Sequence, residues 1–558
     1  MPWVIYSLFD KKLCLSFEAF FLRIFKGGDV MAKNSLVYDV NDKPKFSKLI
    51  GFAFQQVLAV LAATIAVPTI INMQVNIPAA ILGAGLGTLV YLLFTKFKSP
   101  VIISSSFAFL GALSNALAFG YMGIALGSLF AGLVYVVIAL VIKLAGTKWI
   151  EKIMPPVVIG PTVALIGLSL ASSAMGDMVK ANGTEAYGTY NLVSLICGLV
   201  TFFTIVMCTV QNKKKNLRLF PFIIGILVGY LAASIFSIIG YLADVEYLKI
   251  ISWKPIVDNF SNLSFSSFFQ TPNLSLVEGI KELTSGEVSV EVYRAVALNN
   301  KIEIADEIYN NIDAIKALLV ANNVALPQVL NGAGIATVAL AFVPVAFVTY
   351  AEHVADHINL GTIINRHLIK EEPGLTRTLL GDGVGSIVGT FFGICPNTTY
   401  GESVGCVAIT KNASIRTIFS AALMLIVLAF FAPLTSALRT IPSCVMGGVC
   451  LTLYGFIAVS GLKMFKFLDL SNNKNLFTVA AILIAGIGGL AIKIPYEING
   501  DGVIVNTIEI TSIATALILG IITYVVCNKI EKHNNPEVED NVDNMERLEE
   551  YNKEVEGK

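Results

Sequence analysis

The chain has 558 residues, is 55% hydrophobic and only 14% charged, and carries no net charge. No basic excess argues for nucleic acid, and so apolar a composition overrides the several soluble domains that length alone would suggest. Apolar runs of about 20 residues recur along most of it, the length at which a helix crosses a bilayer. The cysteines fall mostly inside those runs (Cys197, Cys208, Cys406, Cys444, Cys450, Cys527) without ligand spacing. They read as small buried apolar residues, not disulfides or a metal site, and no cofactor is expected.

In chain order, the string Lys26-Gly27-Gly28-Asp29-Val30-Met31 is what a purine-rich ribosome-binding site gives when translated. The native start is therefore expected at Met31, with 1–30 a mis-assigned leader inside a cytoplasmic segment 1–48. Spans are predicted at 49–70, 78–95, a broken third around the triple serine Ser104-Ser105-Ser106, then 120–142, 155–173, 188–210 and 219–242. Residues 243–330 are acid-rich and poor in glycine, and read as a partly ordered insertion outside the membrane. Spans resume at 332–353, 379–394, 398–410, 417–437, 442–462, 475–492 and 507–528. The tail 529–558 is acidic and polar. Lysine and arginine cluster in alternate loops, which places both termini in the cytoplasm, makes the span count even and puts the insertion outside. Fourteen spans fit.

Two stretches stand out from this pattern. Pro396-Asn397-Thr398-Thr399-Tyr400-Gly401-Glu402 is polar and turn-prone, yet apolar residues flank it on both sides. Irregular backbone at membrane depth is tolerated only beside protein or a water-filled cavity, and an acid there marks a substrate or ion path. Ala351-Glu352-His353-Val354-Ala355-Asp356-His357 ends another span. Glu352 and Asp356 are four apart and share a helix face, with His353 and His357 in the neighbouring row.

The blocks Pro155-Pro156-Val157-Val158-Ile159-Gly160 and Pro442-Ser443-Cys444-Val445-Met446-Gly447 each follow a polar break, the first at 104–109 and the second at 396–402. Two seven-span halves, 49–242 and 331–528, give this pattern, and an odd number of spans inverts the second half. Inverted repeats with unwound segments at matching positions point to a transporter with a site at the midplane. A broken helix leaves free N–H groups at its N-terminal end. Phe107 and Gly401 are candidate backbone donors to a ligand carbonyl. Glu352 and Glu402 are candidate acceptors from ring N–H groups, and Phe107 and Tyr454 can stack on a flat ring. A semi-buried Glu352 or Glu402 can also take up and release a proton, with His353, Asp356 and His357 as candidate relays.

These motifs, together with Gln55-Gln56 and Pro68 in the first span, resemble the nucleobase–ascorbate (xanthine/uracil) permease family, and within it the bacterial uracil:proton symporters. The resemblance implies an all-α polytopic membrane protein of fourteen spans in two inverted seven-helix repeats. A core domain (spans 1–4 and 8–11) would rock against a gate domain (spans 5–7 and 12–14), with short antiparallel strands in broken spans 3 and 10. It implies that Glu352 and Glu402 hold a uracil ring, that Phe107 and Gly401 donate to it, and that Tyr454 stands near it on the gate side. The family's proton-linked histidine falls at Asp356 or His357 here, of which His357 is the favoured candidate. The implied activity is uracil import by proton symport across the bacterial cytoplasmic membrane, with a homodimer as a further implication. Other readings are a permease of the same fold for xanthine, urate or thymine, and a sulfate- or bicarbonate-type anion carrier. The anion carrier predicts a basic residue at the breaks, where two glutamates stand instead. An enzyme is not expected, because no nucleophile or metal constellation is present.

Overall fold

The computed structural model describes residues 36–179, 190–210, 221–261, 263–305, 307–498 and 504–534. The expectations for 1–30 and for the acidic tail from 535 fall outside the described residues. Helices dominate, and nine described helices are long and apolar enough to cross a membrane, with three shorter apolar helices beside them.

The first half contains α1 (Phe46–Ile70), α2 (Ile77–Phe94), strand β1 (Ile103–Ser105), α3 (Leu110–Leu117), α4 (Gly120–Ala145) and α5 (Lys148–Ile153). It continues through α6 (Pro156–Ser169), α7 (Ala171–Val179), α8 (Leu192–Val210) and α9 (Pro221–Ala243). The insertion folds into α10 (Lys254–Phe260), α11 (Ser275–Ser285), α12 (Val290–Asn299) and α13 (Ile312–Ala321). The second half contains α14 (Gly332–Ile364), α15 (Gly374–Phe392), strand β2 (Asn397–Thr399), α16 (Gly401–Thr410), α17 (Ile415–Ala429) and α18 (Ala432–Arg439). It ends in α19 (Ser443–Lys463), α20 (Asn473–Ile487), the strands β3 (Ile492–Ile498) and β4 (Ile504–Ile510), and α21 (Ser512–Asn534). A helix or strand–helix unit thus stands at every expected span.

Three details differ from the sequence expectation. The predicted span 155–173 is divided at Leu170, and 417–437 at Phe430. Between α20 and α21, where a plain loop is expected, β3 and β4 pair as an antiparallel hairpin. Their β-branched isoleucines favour extended backbone.

The helices pack in two groups. Helices α1–α4 and α14–α17 form one, and α6–α9 with α19–α21 the other. The main contacts between groups run through α1 and α14: α1 touches α9 and α19, and α14 touches α21 and α6. The pattern survives exchange of the two halves. Thus α2–α17 answers α15–α4, α1–α17 answers α14–α4, and α8–α19 answers α20–α6. Pairs that such an exchange maps onto themselves meet directly: α2 with α15, α6 with α19, and β1 with β2. Both proline blocks open helices, with Pro155 and Pro442 as extended N-caps of α6 and α19.

Glycine permits the closest of these approaches. A Cβ on Gly83 would lie 2.1 Å from Gly389 O, and one on Gly461 2.2 Å from Ala164 N. Small residues at helix crossings let backbones touch where lipid offers no hydrophobic drive for association.

The insertion docks on one end of the first group. Ser275 Oγ donates to Gly393 O at 2.5 Å, Gln328 N to Ala118 O at 2.9 Å, and Asn299 Nδ2 to Ile71 O at 3.3 Å. The Glu282 carboxylate accepts from Tyr121 N at 2.8 Å and from Ser289 N at 3.1 Å, so it caps the start of α4.

Candidate substrate site

The site is built where the two broken helices meet. Strands β1 and β2 pair antiparallel with Ile103 opposite Thr399, Ser104 opposite Thr398 and Ser105 opposite Asn397. Ser106 N extends the ladder to Pro396 O at 2.9 Å. Two isolated three-residue strands are marginal by themselves, so side chains from neighbouring helices hold them. Thr88 Oγ1 accepts from Ile103 N and donates to Ile103 O, both at 3.1 Å. Ser386 Oγ accepts from Asn397 N at 3.0 Å, and Asn397 Nδ2 donates to Gly83 O at 3.0 Å. Each strand is thereby pinned to the helix that precedes it. Gln56 from the Gln-Gln motif fixes the second break: Ser403 Oγ donates to Gln56 Oε1 at 2.9 Å and accepts from Ile102 N at 3.1 Å.

Each strand runs into a helical turn whose N-terminus has no side-chain cap, at Phe107 after Ser106 and at Gly401 after Tyr400. Uncapped first-turn N–H groups are donors in want of an acceptor. Glu402 lies in the first turn of α16, where the helix dipole favours an acid.

The residues named for substrate contact, with Asp356 and His357, come together with one exception, while the relay candidate His353 bonds to Asp382. Phe107 and Tyr454 meet edge to face, with ring centroids 5.1 Å apart. Glu352 is within electrostatic range of Asp356, Glu402 and Asp382. Asp356 Oδ2 accepts from Thr399 Oγ1 at 3.0 Å, and its Oδ1 is the nearest atom to the open side of Gly401. His357 is the exception. Its Nδ1–H donates to His353 O at 2.8 Å, and its Nε2 lies 2.8 Å from Tyr91 OH and 3.4 Å from Ser99 Oγ. It serves a buried polar group with Tyr91, Ser99 and His353.

Several buried polar atoms here lack a well-formed hydrogen bond within the protein: Glu352 Oε2, Tyr454 OH, Ser106 Oγ and Thr398 Oγ1. Buried polar atoms left single are costly, and a cluster of them suits a polar ligand that would pair with them. Among the described residues no group of His, Cys, Asp and Glu is arranged to hold a metal ion.

Asp382 escaped the sequence reading. It is buried in α15 between Gly381 and Gly383, and its Oδ2 lies 2.6 Å from His353 Nδ1. His353 Nε2 is 3.1 Å from Thr378 Oγ1, and its ring stacks on His357 with centroids 4.1 Å apart. The available signal was a lone acid inside an apolar span.

A cleft opens along the seam between the groups, lined by Thr69, Asn72, Gln74, Asp177, Ser443 and Cys450 among others. Cys450 is one helical turn from Tyr454, so the cleft approaches the ring pair from one end.

Paired broken helices, two packed groups joined along a seam, and buried acids at the breaks define a polytopic membrane transporter. The chain belongs to the xanthine/uracil permease family: that model, described as "Permease family", matches residues 47–276 and 324–494. It is similar to the uracil permease of Bacillus caldolyticus, 32% identical over 88% of this chain and 94% of that protein. The uracil permease of Bacillus subtilis is 31% identical over 88% of this chain and 95% of its own length. Among solved structures, the inward-facing murine Solute Carrier 26 family member A9 anion transporter superposes with a TM-score of 0.51 at 8% identity. It covers 92% of this chain and 75% of that one. At that identity the likeness concerns the fold alone. The named relatives are permeases, so the chain is a transporter rather than an enzyme. Helices α11 to α13 fall largely in the gap of the family match.

Proposed function

We propose that the chain imports uracil by proton symport across a bacterial cytoplasmic membrane, as fourteen spans in two inverted halves, 49–242 and 331–528. The insertion 243–330 belongs to the external side, and both termini, 1–48 and 529–558, to the cytoplasmic side. The observation that carries the reading is the β1–β2 pair, which sets the N-termini at Phe107 and Gly401 beside Glu352, Asp356 and Glu402. A ring with alternating N–H and C=O groups suits this arrangement. Glu352 and Glu402 accept from its N–H groups, and the backbone N–H groups of Phe107 and Gly401 donate to its carbonyls. Phe107 and Tyr454 cover its faces. The names of the relatives support uracil over xanthine, urate or thymine. The acids at the breaks speak against an anion substrate of the sulfate or bicarbonate type.

The proton reading rests on Glu352 and Glu402. Of the two relay candidates, Asp356 is favoured over His357, because it touches β2 and faces Gly401. Transport would follow from the first group rocking against the second about α1 and α14. A homodimer rests on family resemblance alone.

The test is uptake of labelled uracil into vesicles holding the purified protein, with and without an inward proton gradient, beside Glu402→Gln. Gradient-driven accumulation lost in Glu402→Gln supports substrate and coupling together. Exchange without response to the gradient removes symport, and no uracil uptake by folded protein removes uracil.

A further inference from the structure

The segment between α9 and α11 carries an apolar surface that no interior contact uses. Phe260, Leu263, Phe265, Phe268 and Phe269 are all exposed, Phe265 by 78% and Phe269 by 52%. They form one patch: Phe265 and Phe269 stack with centroids 4.8 Å apart, and Phe260 meets Phe268 edge-on at 6.2 Å. A contiguous patch of this kind marks a binding surface, where scattered exposed residues would mean nothing.

The backbone settles where the patch lies. Phe269 bridges Phe431, Gln270 N donates to Phe430 O at 3.1 Å, and Ala432 N donates to Phe268 O at 3.0 Å. Gln270 Nε2 adds a bond to Ala429 O at 3.3 Å. The segment is stitched to the C-terminal end of α17. The exposed face of α17 is the stripe Phe419, Leu423 and Val427, carried on by Phe430 just past its end, at helical spacing. In a membrane protein such an outward apolar stripe faces lipid, and the phenylalanine patch continues it without a break. On the far side of the patch, Trp253 leans on Tyr241 near the end of α9, with centroids 5.6 Å apart. The Lys249 ammonium lies 5.4 Å from the Tyr241 ring and is paired with Asp244 at 3.0 Å and Glu246 at 2.6 Å. Amphipathic aromatic rings and snorkelling cations gather at the membrane–water boundary.

We infer that residues 250–261 and 263–269 are an interfacial membrane anchor, lying on the bilayer at the end of the bundle where the insertion docks. Phe265 and Phe269 enter the acyl boundary of that leaflet, and Tyr241, Lys249 and Trp253 sit at head-group level. The occupant is lipid, not a second copy of the chain, because the patch prolongs a lipid-facing helix stripe and has an interfacial rim. The insertion is thereby a device that ties the first helix group to one leaflet.

The experiment places Phe265→Trp protein in nanodiscs and compares it with the parent chain. Lipids are either ordinary or brominated near the head-group end of the acyl chains. The added emission is expected to be blue-shifted and to be lost to bromine quenching. Blue-shifted but unquenched emission would mean that another copy of the chain covers the patch, and red, unquenched emission that water does. Either result overturns the anchor. If Phe265→Trp does not fold, Phe269→Trp reports on the same surface.

Discussion

Phe107 and Tyr454 stand edge to face at an interplanar angle of 88°, one on each side of the seam between the helix groups. Their contact closes the seam at the depth where the broken helices end. On the proposed site, a flat ligand bound between them would part the rings, which would link binding to movement of the groups. Edge-to-face pairs are worth about 0.5–1.5 kcal/mol beyond their buried area.

Replacing Tyr454 separates ring from hydroxyl. Tyr454→Phe deletes a buried hydroxyl held at most by the weakly bonding Cys450 thiol, so folded stability should change little. If that hydroxyl meets the substrate, the half-saturating concentration for uptake should rise, by up to about tenfold for one hydrogen bond. Tyr454→Ala should weaken uptake further. Uptake kinetics with thermal unfolding of the same samples check both.

Asp382 and His353 are buried together, and removal of one partner leaves the other stranded. Asp382→Ala should cost about 3–5 kcal/mol of stability, as broken buried pairs do. A double-mutant cycle with His353→Ala should show the two losses overlapping, with the double variant little worse than either single one. Unfolding midpoints in detergent provide the reading, and additive losses would mean that the pair does not act as a unit.

Glycine contacts at the crossing of α2 and α15 predict strong size sensitivity. Gly389→Ala would set a methyl 2.1 Å from Asn397 Nδ2, on the side chain that anchors β2. Overpacking of this kind costs about 1–3 kcal/mol, and here it also displaces a strand of the site. Gly405→Ala, with nothing within 4 Å, should be neutral or slightly stabilising by helix propensity. Size-exclusion profiles and uptake should separate the two variants.

Glu282 makes docking of the insertion depend on pH. Burial raises its carboxyl above the usual range, against hydrogen bonds from the backbone of Ser289, Tyr121 and Met122. The docked form therefore binds its proton more readily than the undocked one. Docking should tighten as pH falls from neutrality through the raised value, then level off below the ordinary carboxylate range near about 4.3. Hydrogen exchange of residues 275–299, corrected for intrinsic rates, should slow on acidification, and Glu282→Gln should abolish that dependence.

At an exposed site the expectation reverses. Hydrogen bonds from Lys98 and Lys96 hold Glu372 down to about 2. A depressed carboxyl contributes above its unfolded value and loses that contribution only as pH falls toward its folded one, so the lysine clamp should be flat from about pH 5 to pH 8. Salt should weaken it instead, since exposed pairs are screened. Crosslinking between Cys replacements of Phe97 and Glu371 across a salt series would report this.

The acids at the ends of spans were legible because charge in an apolar run is rare and costly. Glu352, Asp356 and Glu402 could be named from position alone, and four-residue spacing correctly set Asp356 and His353 on different rows of α14. The pairing of Asp382 with His353 was not legible, since the two lie 29 residues apart on different helices. Nor was the separation of Asp356 from His357, because adjacent residues on a helix point about 100° apart and only the neighbours decide which faces the strands.

The sequence by itself determined a polytopic helical transporter, broken at Ser104–Ser106 and at Pro396–Glu402 and interrupted by a polar insertion. Those features are local: span length, interrupted hydropathy and turn residues need no knowledge of the partner segments. Only the tertiary structure decided the register in which the two strands pair, that Gln56, Thr88 and Ser386 hold them, and that the insertion docks on the first helix group. These depend on contacts between segments hundreds of residues apart. Their register is set by close-packed glycines and buried hydrogen bonds, which a linear reading of apolar runs does not contain.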